Sequence, residues 1–242
     1  MRSVVAGEGN SQGKIHANAL DHVALWMPDR DVLAKFLYSH LGVHEIERTD
    51  QFTLVGANAR KGKLTLFAAE GEREAGVLGP IVLRVSDLDA ALERLPEDLP
   101  VERPNAGLAL FDAPGGLPLG LVASSNGGSD YDIDHVVLRV REPSRTRAGL
   151  AELGFEEQEG DLNVGDKRVV LERAELETSK EPLLNHIALL VDSGRDQLAE
   201  AERRGLQVVD VRDAENTFAV FVAGPDGITL EYVEHKPGFS LV

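Results

Sequence analysis

The sequence predicts an α+β fold built from four copies of one βαβββ unit, and three observations carry that expectation. Four segments open with the same apolar strand pattern. Each is followed by a polar turn and an amphipathic helix. Extended segments then close each copy. Internal repetition of this kind takes precedence over residue-level reading, because overlooking it misassigns the whole fold.

The four openings are LDHVALWMPDRDVLAKFLYSHLGVHEI from Leu20, LGPIVLRVSDLDAALERLPEDLPVE from Leu78, IDHVVLRVREPSRTRAGLAELGFEE from Ile133 and LNHIALLVDSGRDQLAEAERRGLQVV from Leu184. Their first residues are β-branched or leucine-rich, as a buried strand requires. The Asp, Ser or Pro that follows suits a helix start. In the last copy the extended segments read LQVVDV, TFAVFVAG and ITLEYVE, and GPDG between the last two is a hairpin signal. The repeats are therefore mostly strand, which excludes a helical solenoid. The segment SSNGGSD, Ser124 to Asp130, reads as a connector. The chain accordingly divides into an arm at 1–18, an N-terminal half at 19–125 holding units one and two, and a C-terminal half at 131–238 holding units three and four. Each half is expected to form a cup-shaped mixed sheet with helices outside.

Composition bounds the function. The chain has 242 residues, 25 Lys plus Arg against 41 Asp plus Glu, and a formal charge of −16. That balance repels phosphate backbones and anionic lipid, so neither nucleic acid nor a membrane is an expected partner; a small molecule is, and a homo-oligomer is left open. The absence of cysteine excludes disulfides and thiolate metal sites. The polar first 18 residues lack the apolar core of a signal peptide. No stretch reaches the roughly 20 apolar residues of a membrane span, and a cytoplasmic location is expected.

Three units place a histidine at one register of the first strand, His22, His135 and His186, while the second has Pro80. A single strand histidine is more often structural than a ligand, but recurrence at one register weakens that reading. In the closing strand of unit four, Glu231 follows the GPDG turn. The matching positions are Gly120 in unit two, Thr65 in unit one and Val170 in unit three, with Glu172 on the same face as an alternative for the last.

The DHV and NHI strand openings, the repeated unit and the GPDG-x-x-LEY ending resemble the vicinal oxygen chelate superfamily. It includes glyoxalase I, bleomycin and fosfomycin resistance proteins and type I extradiol ring-cleaving dioxygenases. The resemblance covers nearly the whole chain after Ala19. It implies that βαβββ units pair into cups whose metal ligands come from the first and last strands. The N-terminal half then offers His22, Thr65, Pro80 and Gly120, too few ligands. The C-terminal half offers His135, His186 and Glu231, which match the extradiol ligand set. Two imidazoles and one carboxylate with open positions suit a non-haem divalent ion, Fe(II) first, with Mn, Zn or Ni as alternatives.

The same resemblance marks departures. An acid/base histidine is expected on the last strand of unit three, where NVGDKRVVLERA has none. A tyrosine is expected where Phe221 stands, and a further histidine where VRDAENTF stands. Positioned proton transfer typically contributes about 10² to 10⁴ in rate, so catechol cleavage itself is not implied; no catalytic residue is assigned. Glyoxalase I fits less well, because it places a fourth ligand at the position of Val170. Arg139, Arg168 and Phe221 are candidate substrate contacts, and Trp26 and Phe218 candidate pocket walls. His16, His40, His44 and His235 are expected at the surface. Two functional readings remain: a metal-dependent enzyme acting on a small oxygen-chelating substrate, or a small-molecule-binding protein of the same fold. Pairing of units three and four is expected from the connector. If units one and four pair instead, His22 replaces His135.

Overall fold

The computed structural model describes residues 15–124, 128–158, 160–175 and 179–239. Unit one comprises β1 (Ala19–Met27), α1 (Arg30–His40), β2 (His44–Arg48), β3 (Phe52–Gly56) and β4 (Leu64–Ala68). Unit two comprises β5 (Leu78–Val85), α2 (Leu88–Leu92), β6 (Glu102–Asn105), β7 (Leu108–Ala113) and β8 (Leu117–Ala123). Unit three has β9 (Ile133–Val140), α3 (Pro143–Ala151), β10 (Glu156–Gln158), β11 (Asp161–Val164) and β12 (Lys167–Arg173). Unit four has β13 (Leu184–Leu190), α4 (Gly194–Arg204), β14 (Val208–Asp213), β15 (Thr217–Ala223) and β16 (Thr229–His235). The expected βαβββ order thus recurs four times.

Helix starts follow the polar turns. The side chains of Asp29, Asp87 and Ser193 accept from the backbone N–H of Val32, Ala90 and Asp196, capping α1, α2 and α4. Pro143 occupies the first turn of α3, where no intrahelical N–H bond is lost. Gly205 ends α4 in the left-handed region at φ 67°. The GPDG segment forms a short 3₁₀ turn at Pro225–Gly227 and joins β15 to β16 as an antiparallel pair.

The strands form two eight-stranded sheets, ordered β14-β15-β16-β13-β1-β4-β3-β2 and β10-β11-β12-β9-β5-β8-β7-β6. Within every unit the first strand lies parallel to the last. Between units the first strands meet antiparallel, β1 with β13 and β5 with β9. Units one and four therefore share one sheet, and units two and three the other. The expected pairing of units three and four is not what forms. Residues 125–127 of the expected connector lie outside the described residues; the strands on either side of it, β8 and β9, belong to one sheet. Consecutive elements tend to be neighbours, and units two and three are consecutive too. Their pairing leaves the outermost units to find each other.

The core lies under the sheets. Val23, Leu25 and Met27 of β1 are fully buried on one face with Leu33 and Leu37 of α1. Unit four also contacts unit three at the segment after α3. The Tyr232 hydroxyl donates to the Leu153 carbonyl at 2.9 Å. The segment expected to be a free arm is packed over its last residues, since Ile15 and Ala17 are core and the Asn18 N–H donates to the Leu190 carbonyl. Residues 1–14 of that arm lie outside the described residues. None of the described helices is long and apolar enough to cross a membrane.

Candidate metal centre

Each histidine-bearing strand opening is a β-bulge. On β1 the register slips between Leu20 and His22, leaving Asp21 unpaired. On β13 it slips between Leu184 and His186, leaving Asn185 unpaired. On β9 it slips between Ile133 and His135, leaving Asp134 unpaired. The β5 strand carries a slip between Leu78 and Ile81, around Gly79 and Pro80. A bulge interrupts the strict alternation of side chains and re-aims them. The residue before each histidine can then reach the imidazole beside it. Asp21 Oδ2 lies 2.8 Å from His22 Nδ1, Asn185 Oδ1 3.0 Å from His186 Nδ1 and Asp134 Oδ1 2.7 Å from His135 Nδ1. The neighbouring oxygen can accept from Nδ1–H, and the tautomer that donates there presents its Nε2 lone pair to another partner.

The closing strands sit in register with these openings. Ala188, two residues past His186, pairs with Glu231. The equivalent partners are Thr65 opposite Ala24, Gly120 opposite Val82 and Val170 opposite Val137. The four positions aligned from sequence are thus structurally equivalent.

Because β1 and β13 are neighbours, His22 and His186 face each other, with Glu231 beside them. His22 Nε2 lies 3.2 Å from His186 Nε2. Glu231 Oε2 lies 2.8 Å from His186 Nε2 and 3.4 Å from His22 Nε2. Bonds of about 2.1 Å to one ion separate donors by about 3.0 Å at right angles and about 3.4 Å at tetrahedral angles. Two of the three spacings fall in that interval and the third, 2.8 Å, lies just below it, so the residues fit a divalent ion, and His22, His186 and Glu231 form a group able to hold one. His186 and Glu231 come together as the sequence reading expected; His135 does not join them. It stands on β9 in the other sheet, next to Arg168, and His22 takes its place.

Ligation needs neutral imidazole and ionised carboxylate, and the shifts of His186 and Glu231 run in those directions. Burial, with smaller contributions from the nearby His22 and Arg212, holds the His186 imidazole below its usual range, against the pull of Glu231. Burial tends to raise the Glu231 carboxyl, but the His186 hydrogen bond and the two imidazoles outweigh it, and the net shift is downward. Asp21 follows the same pattern. Burial pushes it up, and His22, His235 and Lys63 bring it well below the normal carboxylate range.

Aromatic side chains surround the cluster. Phe221, paired opposite Glu231, meets His186 edge to face at 5.2 Å between ring centres. Phe67 lies 6.3 Å from His186, 5.4 Å from Trp26 and 5.8 Å from Phe52. Arg212 covers the outer side of Phe221 at 5.5 Å. Trp26, Phe52, Phe67 and Phe221 are all half-buried, so they can present ring surface to a ligand. Phe218, expected in this wall, is instead buried against Gly194 on the helix side of its strand. Arg139 and Arg168 belong to the other sheet; Arg168 donates to Asp134 at 2.9 Å and lies 3.5 Å from Asp161.

In the second sheet the position of Glu231 is filled by Gly120. A Cβ there would come within 2.8 Å of a Leu110 methyl, 3.1 Å of Val82 and 3.2 Å of the Ala109 carbonyl. The floor of that cup is closed by packing, and a ligand side chain could not be accommodated without movement.

Several residues at the site escaped the sequence reading. Asp21 and Asn185 stood in view within the DHV and NHI openings, and the recurrence of Asx before His was the available signal. Lys63 pairs with Asp21 at 2.8 and 2.7 Å; its position two residues before Thr65 matches that of Arg168 before Val170, a repeat-level signal. His235, expected at the surface, is half-buried at the end of β16 with Nε2 3.3 Å from Asp21 Oδ1.

A bulged pair of first strands carrying two histidines, with a glutamate on an adjacent last strand, defines a paired-βαβββ protein with a candidate metal site. Residues 19–104 match the model of the Glyoxalase/Bleomycin resistance protein/Dioxygenase superfamily. The likeness to the vicinal oxygen chelate superfamily thus rests on sequence over that span and on fold over the chain. No curated protein matches the chain in sequence. Among solved structures, a candidate dioxygenase from Bacillus subtilis subsp. subtilis str. 168 superposes with a TM-score of 0.70 at 18% identity, covering 93% of this chain and 87% of that one. Glyoxalase I from Zea mays gives 0.71 at 16% identity, over 89% of this chain and 92% of its own. The CppA protein from Streptococcus pneumoniae TIGR4 gives 0.64 at 12%, over 90% and 99%. At these identities the likeness is one of fold.

Proposed function

We propose that the protein is a metal-dependent enzyme that binds a divalent ion at His22, His186 and Glu231 and acts on a small substrate presenting adjacent oxygen donors. The observation that supports this best is the convergence of three donor atoms at ion-compatible spacing, from strands at opposite ends of the chain. A bound divalent ion would polarise substrate oxygens and lower the pKa of a bound hydroxyl or water. The chain's own residues do the rest. Asp21 and Asn185 orient the imidazoles, and the rings of Phe67, Phe221 and Trp26 offer apolar surface beside the ion. Fe(II) suits a two-histidine, one-carboxylate set, and Mn, Zn or Ni are the alternatives.

Metal analysis of protein purified without a polyhistidine tag tests this. Near-stoichiometric metal is expected, reduced strongly in His22→Ala and Glu231→Gln and retained in His135→Ala. Equal metal content in His22→Ala and the parent would overturn the assignment. A second reading, a binding protein without catalysis, is favoured by Phe221, which places a ring with no proton to transfer directly opposite Glu231. Ligand affinity unchanged by metal removal would select it.

A further inference from the structure

We infer that Asp21 and Lys63 are positioning residues for His22, a sealed lysine–carboxylate pair that holds its imidazole toward the ion. The inference rests on the metal reading above and deepens it. Three strand openings share the bulge and the Asx-to-Nδ1 contact, but they are not chemically equal. His186 is held by the neutral amide of Asn185. His22 is held by a carboxylate, and a charge-assisted acceptor is both stronger and more directional. Lys63 grips both oxygens of that carboxylate, at 2.8 and 2.7 Å. The two side chains are 3% and 7% exposed.

That burial is the informative point. The duplicate in unit three has the same parts, Arg168–Asp134–His135, yet there the cation is 44% and the carboxylate 20% exposed. In that sheet the described residues form no ligand cluster, and the pair is the more exposed of the two. Where the cluster exists, it is sealed, and desolvating two charges costs several kcal/mol each before their attraction is counted. The arrangement has two consequences for the ion. Asp21 fixes the Nδ1–H tautomer of His22 and leaves Nε2 for the metal. Lys63, with His235 on Oδ1, occupies the carboxylate, so Asp21 stays a holder and is not itself a ligand.

The test uses the full chain with Zn(II) as probe. In metal-free protein, ¹⁵N NMR of the imidazoles should show His22 predominantly as the Nδ1–H tautomer. The charge-neutral double variant Asp21→Ala/Lys63→Met should shift it to a mixture. Zn(II) affinity, measured against a chromophoric chelator, should fall about 10- to 100-fold in Asp21→Asn. Asp134→Asn makes the same change in the duplicate and should stay within about twofold of the parent. Equal losses in the two variants, or none in Asp21→Asn, would overturn the inference. If the parent binds no Zn(II), the metal reading fails on its own. The positioning claim is then judged by the tautomer, and an unchanged tautomer in the double variant refutes it.

Discussion

Replacing Gly62 with alanine should destabilise the protein far more than replacing Gly71, although both glycines sit at positive φ. Gly62 lies in the turn between β3 and β4 at φ +62°, and Gly71 has φ +74°. Either substitution forces an L-residue into the left-handed region, at about 1–2 kcal/mol, partly offset by about 0.4–1 kcal/mol of lost unfolded-state freedom. Gly71 has nothing within 4 Å of its built Cβ, so the cost ends there. At Gly62 the Cβ would fall 2.3 Å from the Tyr131 carbonyl oxygen and 3.2 Å from the Asp132 Cα, both backbone atoms that cannot rotate away. Relief requires the turn to move, which breaks the 2.8 Å bond from the Gly62 N–H to Asp132 Oδ1. A buried bond to a charged group is worth about 1.5–3 kcal/mol. Gly62→Ala should therefore cost roughly 2–4 kcal/mol and Gly71→Ala about 1 kcal/mol or less. Urea unfolding followed by the fluorescence of the single tryptophan, Trp26, measures both. Values within about 0.5 kcal/mol of each other would show that the contact between the turn and the other sheet is not as described.

Metal linkage gives a second expectation. Free ion at a thousand times its dissociation constant contributes about 4 kcal/mol, which for a chain of this size raises Tm by roughly 10 °C. Differential scanning calorimetry with metal and with chelator should show the shift in the parent and in His135→Ala, and lose it in His22→Ala; a shift surviving in His22→Ala would refute the site. Lys167, 4% exposed, donates to Asp132, 1% exposed, at 2.5 Å. Lys167→Met should cost about 3 kcal/mol in urea titration, because it strands a buried carboxylate; a change below about 1 kcal/mol would mean Lys61 and the Gly62 N–H suffice. Hydrogen bonds from His135 and then Arg168 hold the Asp134 carboxyl below the ordinary carboxylate range. Its folded pKa lies under the unfolded value of about 3.9, so its contribution is complete above that pH and fades as the pH falls toward the folded value. Asp134→Asn should flatten the loss of stability below about pH 4, and identical acid profiles for parent and variant would contradict the ion pair.

The repeat was the legible part of this fold. Strand openings, helix caps and the GPDG turn each have local chemistry, and the equivalence of Thr65, Gly120 and Val170 with Glu231 followed from matching the closing segments of the four units. Which units pair was not legible, because every first strand presents the same apolar edge. That single misplacement moved one ligand, exchanging His135 for His22, while His186 and Glu231 stood unchanged because both belong to unit four. The roles of Asp21 and Asn185 stayed hidden because strict alternation points them away from the imidazole. Only a bulge brings them back, and a bulge leaves no mark in a strand's composition.

The sheet order also imposes a sequence of events during synthesis. Units two and three are contiguous, so their sheet can close once β12 has left the ribosome. Strand β1 is made before them yet must wait for β13, and the donor cluster is incomplete until β16 is made. Contacts of such long sequence separation form slowly. Until then β1 offers an open apolar edge, the kind of surface that invites wrong pairing. A chain cut before Glu231 would therefore lack the third donor of the candidate metal centre, and only a cut before β13 would leave β1 without that neighbour.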